Sequence, residues 1–119
     1  MKSGNIIREK SFILAIHTVK IVRKIQEEKK EFVLSNQLLK SATSIGANIE
    51  EAIGGQSRKD FFAKLSISYK EARETMYWVK LLYATDLLTK DEFESICKIT
   101  EECCRIIGKI QLTLKANGI

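Results

Sequence analysis

The sequence contains no proline, and four of its six glycines lie near predicted segment ends, at Gly4, Gly54, Gly55 and Gly118. Because proline interrupts a helix and glycine destabilises its interior, this scarcity is typical of a protein built from a few long helices. No apolar run approaches the roughly 18 residues that a membrane-spanning helix requires, and no signal-like apolar core opens the chain. We therefore expect a cytoplasmic protein.

Histidine and cysteine are also scarce, which removes most catalytic and metal-binding patterns. With His17 as the only histidine, the paired Glu-x-x-His motifs of a di-iron bundle cannot form, and any histidine-activated nucleophile would depend on that one residue. Cys97, Cys103 and Cys104 form no CxxC pair, and we interpret them as reduced packing residues. No glycine-rich phosphate loop is present. We therefore expect no enzyme activity and no cofactor.

Length and composition predict one globular domain, residues 1–119. The chain is 45% apolar and 29% charged, and it is long enough to bury roughly two thirds of the surface that its unfolded form exposes. Its net charge of +5 and pI of about 9.2 are compatible with an anionic partner but do not require one. Residues 1–30 hold eight Lys or Arg against three acidic residues, so the basic excess lies in the first predicted helix.

Apolar residues recur with helical spacing in four segments. The predicted helices span about residues 8–30, 36–53, 57–85 and 89–115. Ser35 and Ser57 are predicted N-caps, and the Gly54–Gly55 pair is a predicted helix stop. Thr89 and Glu92 match the T-x-x-E capping box. Because the joints are short, neighbouring helices should be antiparallel, and the predicted fold is all-α, an up-down-up-down four-helix bundle.

The first predicted helix has more apolar surface than one contact requires. Its amphipathic stripe consists of Phe12, Ala15, Ile16, Val19 and Val22. Leu14, Ile21 and Ile25 lie outside this stripe, so apolar residues cover about half of the circumference, whereas one core contact needs roughly 100°. We therefore expect a second buried contact for this helix.

Two neighbouring stripes of residues run along the second predicted helix. The apolar stripe consists of Leu38, Ala42, Ile45, Ile49 and Ala52, and the polar stripe of Gln37, Ser41, Ser44, Asn48 and Glu51. Small side chains let helices approach closely, and polar side chains pair across an interface and help to fix its register. We predict that the polar stripe packs against a helix of the same or another subunit, with a solvated small-polar face as the alternative.

The third predicted helix carries a similar mixture, in which Glu71 and Glu74 share a face with Ile67, Trp78 and Leu81. Glu51, Glu71 and Glu74 would suit a divalent ion if the helices brought them together. The alternative, which we favour, is a structural polar network, because buried carboxylates must find donors and these helices offer many.

A basic group lies towards the end of the first predicted helix. The candidate nucleic-acid contacts are Lys20, Arg23, Lys24, Lys29 and Lys30. Lys20 and Lys24 are one turn apart and could contact neighbouring phosphates. Glu27, Glu28 and Glu31 interrupt the group, so a mixed-charge solvated face is an alternative. A membrane-surface helix is a further, weaker alternative, because the bundle already explains the apolar face.

Two runs of the sequence resemble a known family. The runs are QLLKSATSIGANIEEA at 37–52 and QSRKDFFAKLSISYKEARETMYWVKLL at 56–82. They are similar to the bacterial four-helix-bundle family that includes the proteins encoded by intervening sequences of 23S rRNA genes. The most specific elements are TSIGAN, followed by Glu51, and KEARETMYW. Lys40 and Ala42 stand where the family commonly has Arg and Gly.

The resemblance implies a homo-oligomeric bundle, a pentamer, whose biochemical role in most members is unknown. More distantly, the chain is similar to the accessory protein of diversity-generating retroelements, a pentameric bundle that engages nucleic acid and a reverse transcriptase. We therefore expect a non-enzymatic scaffold or adaptor that presents repeated basic surfaces to RNA, DNA or a nucleoprotein. The alternatives are a protein-only assembly module and a metal-dependent enzyme that uses the clustered glutamates.

Overall fold

The computed structural model describes the backbone of residues 2–119 and the side chains of residues 4–119. Its four helices are α1 (Lys2–Lys29), α2 (Val33–Ile53), α3 (Arg58–Ala84) and α4 (Lys90–Ala116). α1 and α3 each pack against α2 and α4, and the molecule measures 49 × 21 × 19 Å. The predicted all-α four-helix bundle is confirmed. Within residues 2–119, no helix combines the length and apolar character needed to cross a bilayer.

Side-chain pairs between the helices show that neighbours run in opposite directions. Arg8 near the start of α1 bonds Glu50 near the end of α2, with 2.6 Å between Nε and Oε1. Gln26 near the end of α1 donates to Asn36 near the start of α2, at 2.9 Å. The other neighbours are also antiparallel. α2 and α3 are joined by Ser41–Thr75 and Glu51–Lys64, and α3 and α4 by Ser66–Gln111 and Tyr83–Phe93. α1 and α4 are joined by Lys10–Glu102 and Lys24–Glu92.

Two helix starts follow the capping chemistry that the sequence predicts. The Thr89 hydroxyl oxygen accepts the N–H of Glu92 at 3.1 Å, and the Glu92 carboxylate accepts the N–H of Thr89 at 2.9 Å. The capping box of α4 is therefore confirmed. At the start of α3, the Ser57 hydroxyl oxygen accepts the N–H of Asp60 at 3.1 Å. These side chains satisfy backbone donors that have no partner within the helix.

The predicted starts of α1 and α2 are wrong. α1 begins at Lys2, not at residue 8, and its added first turns bury Ile7 in the core. α2 begins at Val33, before Ser35, which is a buried residue of its first turn and not the N-cap. The Glu31 carboxylate accepts the N–H groups of Leu34 and Ser35, at 3.1 and 2.9 Å. A preceding glutamate thus supplies the acceptor that the sequence assigned to Ser35.

The core contains side chains from all four helices. Its large, almost fully buried apolar members are Ile7, Leu14, Val22, Leu38, Ile45, Ile49, Leu65, Val79, Leu82, Ile96 and Ile107. The predicted apolar stripe of α2 is buried along its whole length, from Leu38 to Ala52. Burying each Leu or Ile side chain contributes about 1.5–3 kcal/mol relative to leaving it exposed.

Of the amphipathic stripe predicted for α1, only Val22 lies in the core. Phe12 is 67% exposed and Ile16 is 39% exposed, whereas Leu14 is fully buried. The core stripe of α1 also contains Ser11 and Thr18, whose hydroxyl groups donate to the carbonyl oxygens of Arg8 and Leu14. A count of apolar residues misses this stripe, because hydroxyl side chains that bond their own helix can be buried without an unsatisfied group.

Gly46 of α2 lies directly against Ser11 of α1. A Cβ atom built on Gly46 would lie 3.4 Å from the Ser11 hydroxyl oxygen and 3.5 Å from its carbonyl oxygen. A methyl group just fits at this distance, so a larger side chain has little room on the side that faces α1. A Cβ atom on Gly108 of α4 would have no neighbour within 4 Å.

We expect Gly46→Leu to lower the free energy of unfolding by about 1–3 kcal/mol, because the larger side chain must push α1 away from α2. Gly108→Leu is the matched control and should leave stability unchanged or raise it, since leucine is the better helix former. Urea denaturation of both variants, followed by circular dichroism, measures the difference. Equal stabilities for the two variants would contradict the close approach.

Candidate interaction surfaces

The inner part of the polar stripe lies between α2 and α3 of the same chain. Ser41 is buried, and its hydroxyl oxygen lies 3.1 Å from the hydroxyl oxygen of Thr75 on α3. One turn further along, the Ser68 hydroxyl donates to the carbonyl oxygen of Ile45 at 2.9 Å. These contacts join two helices through small side chains and let their axes approach.

The outer part of the polar stripe is less enclosed. Ser44 and Asn48 are half-buried, and they donate to carbonyl oxygens of their own helix, those of Lys40 and Ser44 respectively. Gln37 and Glu51 are exposed. Glu51 accepts from the ammonium group of Lys64 on α3, at 3.2 Å. One edge of the polar stripe therefore lies in the interface between α2 and α3, and the other edge lies at the surface.

The three glutamates of the metal-site alternative do not come together. Glu51 pairs with Lys64 instead, and within residues 4–119 no three His, Cys, Asp or Glu side chains lie close enough to hold an ion. Glu74 accepts from the indole N–H of Trp78, at 3.2 Å. Burial, followed by the charge of Glu74, raises the pKa of the half-buried Glu71 carboxyl, and only the charge of Lys40 opposes this.

The predicted basic group is spread over the outer side of α1. Lys20 and Arg23 are exposed. Lys24 pairs with Glu92 on α4, with 3.4 Å between the charged atoms. Lys29 and Lys30 are exposed at the turn into α2, where Lys30 has a φ of 56°. The structure therefore leaves Lys20 and Arg23 as the outward cations along the body of the helix.

These two cations adjoin exposed apolar side chains. We call the surface formed by Phe12, Ile16, Val19, Lys20 and Arg23 the α1 outer face. Ile6 and Ile13 are also exposed on this helix, at 40% and 38%. A folded chain exposes single apolar residues as a matter of course, but four large ones on the outer half of one helix are typical of an interaction surface.

α3 carries a second mixed surface. We call the surface formed by Ile67, Glu71, Glu74 and Trp78 the α3 acidic face. Ile67 is 42% exposed, and Trp78 is half-buried. The spacing of four, three and four residues places these side chains along one side of the helix. This face combines apolar contact area with two carboxylates.

Sequence reasoning missed a basic stripe on the opposite flank of α3. The α3 basic stripe consists of Lys70, Arg73, Tyr77 and Lys80, all of them exposed. Its spacing of three, four and three residues was visible in KEARETMYWVK. In the sequence, Glu71 and Glu74 follow directly after Lys70 and Arg73, so the segment has the appearance of a mixed-charge face.

The basic stripe borders α4 at its cysteines. Burial raises the pKa of the Cys97 and Cys104 thiols, and the charges of Lys80 and Arg73 respectively oppose that rise. Cys103 points into the core, and burial raises its pKa to about 12. The thiols therefore lie under or beside the stripe as neutral packing groups.

Comparison with known proteins agrees with the fold and with the two runs that resemble a family. The family model described as 23S rRNA-intervening sequence protein matches residues 4–109. The chain belongs to this family. A crystal structure of a protein of unknown function from the S23 ribosomal protein family of Bacteroides thetaiotaomicron VPI-5482 is similar, with 43% identity and a TM-score of 0.89. The match covers 92% of this chain and 97% of that one. No curated protein matches the chain.

For this member of the intervening-sequence family we expect Cys103 to resist alkylation in the native state. At pH 8 almost none of a thiol with a pKa of about 12 is the reactive thiolate, and the side chain is fully buried. Mass spectrometry after iodoacetamide treatment should show Cys103 unmodified until denaturant is added. Modification of Cys103 as fast as that of an unfolded control would contradict its placement in the core.

Proposed function

We propose that this member of the 23S rRNA-intervening sequence family is a non-enzymatic, homo-oligomeric helical scaffold of the cytoplasm. The supporting observation is the α1 outer face, where Phe12 is 67% exposed and Ile16 is 39% exposed on a helix whose other side fills the core. Leaving such side chains in water forgoes about 25 cal/mol for each Å² of apolar area. A second copy that covers them recovers this free energy.

The proposed stoichiometry is a pentamer. The number comes from the resemblance to pentameric bundles and not from a contact within the chain. The elongated shape of the molecule, 49 Å long and about 20 Å across, suits side-by-side packing of copies along their long faces. An assembly of this kind repeats every surface of one chain around a common axis.

The scaffold is further proposed to contact RNA or DNA, or a nucleoprotein, through repeated basic surfaces. The candidate contacts are those predicted on α1, Lys20, Arg23, Lys24, Lys29 and Lys30, together with the α3 basic stripe. We favour the stripe because its three cations surround an exposed tyrosine and form no ion pair within residues 4–119, whereas on α1 Lys24 is paired with Glu92 and Glu27 and Glu28 interrupt the group. Tyr77 is 60% exposed among them and offers a ring on which a base can stack.

Repetition strengthens the nucleic-acid proposal. One subunit neutralises only a few phosphates, which gives weak, salt-dependent binding. Copies held in one assembly bind the same strand at high effective concentration, so their contributions combine. The alternative is a protein-only assembly module, and the mixed charges on α1, where Lys24 meets Glu92, favour it.

Salt-dependent binding of single-stranded oligonucleotides tests the basic stripe. Each neutralised phosphate contributes about 0.7 to the slope of log affinity against log salt, so Lys70→Ala, Arg73→Ala and Lys80→Ala together should reduce the slope by about 2 for each subunit that contacts the strand. The matched control removes the same charge from α4 with Lys98→Ala, Arg105→Ala and Lys109→Ala. Glu101 and Glu102 stand between these cations, so the control should change the slope less.

A parallel variant, Lys29→Ala with Lys30→Ala, tests the basic group predicted on α1 without touching the α1 outer face. A slope reduced only in this variant would move the contact from α3 to α1. Absence of binding by the unmodified protein at low salt, with mixed-sequence RNA and DNA, would contradict the nucleic-acid proposal and leave the protein-only module.

A further inference from the structure

We infer that the α1 outer face of one copy packs against the α3 acidic face of the next, with Lys20 and Arg23 facing Glu74 and Trp78. The inference rests on the proposed self-assembly and specifies its contact surface. Both faces expose apolar side chains, Phe12 and Ile67 among them.

The charges of the two faces make this pairing specific. The α1 outer face contains Lys20 and Arg23, and Glu27 lies one turn beyond them. The α3 acidic face contains two carboxylates, and Lys64, one turn before it on the same side, is already paired with Glu51. The predominant charges of the two faces are therefore opposite, so each face is more complementary to the other than to a second copy of itself. The contact is heterologous, meaning that each copy uses two different surfaces.

Glu71 and Glu74 lack a close cationic partner within the described part of the chain. Neither is in an ion pair there, and the opposing charge at Glu71 comes from Lys40 alone. Two neighbouring carboxylates repel each other, and Glu71 is also half-buried. Cations from a neighbouring copy would stabilise both charges. Arg23 can in addition stack on the Trp78 ring.

The two faces also match in height along the bundle. Ser11 of α1 lies beside Gly46, and Ser68 of α3 bonds the carbonyl oxygen of the adjacent Ile45. Ser11 and Ser68 therefore lie at the same position along the bundle axis. α1 and α3 run in the same direction, because both are antiparallel to α2, and both advance about 1.5 Å per residue. Residues that are equally far from Ser11 in α1 and from Ser68 in α3 therefore lie at the same position along the bundle axis.

This correspondence brings the complementary residues together. Phe12, the residue after Ser11, corresponds in axial position to residue 69 of α3 and so lies within two residues of Ile67. Lys20 reaches the height of Tyr77 and so lies within one turn of Glu74. Lysine and arginine side chains are long enough to span a turn, so Arg23 likewise reaches Trp78. A rotation of one copy onto the next, without a shift along the bundle axis, therefore pairs cation with carboxylate and apolar side chain with apolar side chain.

The positions of the faces around the bundle favour a closed ring. Phe12 and Val19 share a side of α1 with Arg8 and Gln26, which bond α2. Ile67, Glu71 and Trp78 share a side of α3 with Lys64, which also bonds α2. The two faces thus flank α2 on adjacent sides of the bundle. Heterologous contacts between adjacent sides rotate each copy relative to the one before it, and we infer that this rotation closes into a ring.

Charge reversal with rescue tests the pairing by light scattering on the full chain. Lys20→Glu and Glu74→Lys should each weaken assembly, with a dissociation constant raised by at least about ten-fold, and the double variant should restore it. The matched controls, Lys98→Glu and Glu94→Lys, lie on the outer side of α4 and should leave the mass unchanged. Circular dichroism melting of every variant separates loss of assembly from loss of folding, and Lys20→Gln provides a milder change.

Each outcome decides a different statement. A monomeric unmodified protein would contradict the proposed scaffold itself. An oligomer that both single variants leave intact would place the contact elsewhere and overturn the inference, while the scaffold proposal stands. Single variants that dissociate without rescue by the double variant would overturn the Lys20–Glu74 pairing.

Discussion

The structure depends on the close approach of α2 to both of its neighbours. On one side Gly46 packs directly against Ser11 of α1. On the other side the Thr75 hydroxyl of α3 donates to Ser41, and the Ser68 hydroxyl donates to the carbonyl oxygen of Ile45. Gly and Ser are weak helix formers, and they are retained because small side chains bring the helix axes together and hydroxyl groups satisfy each other or a carbonyl oxygen. α2 thus sets the spacing, register and relative height of α1 and α3.

The same arrangement explains why two mixed faces remain at the surface. With its core side defined by Leu14 and by the hydroxyl residues Ser11 and Thr18, α1 turns Phe12 and Ile16 outward. α3 packs on α2 through Thr75 and Ser68 and carries its carboxylates on the outer flank. Because small residues make the contacts between these helices, large apolar and charged side chains remain at the surface and are available to other molecules. We interpret self-assembly as the use of these faces.

Much of this could be predicted from the sequence. The four helices, the T-x-x-E box at Thr89 and the buried stripe of α2 follow from local chemistry and helical period. The core side of α1 could not be predicted by counting apolar residues, because Ser11 and Thr18 are buried while Phe12 is not. The partners of Glu51 and Glu71 depend on how helices distant in sequence are placed, which no local pattern specifies. The α3 basic stripe was visible in the sequence but was overshadowed by the glutamates between its members.

The central claim is that the chain assembles with copies of itself, and the solution mass measures this most directly. Light scattering over a range of protein concentrations, at low and high salt, should give one species of about five times the 13.6 kDa chain mass. Because apolar side chains form part of the contact, the species should persist at a salt concentration that screens surface charges. A mass of 13.6 kDa at every concentration would contradict the account, since the exposed apolar side chains of α1 would then face water.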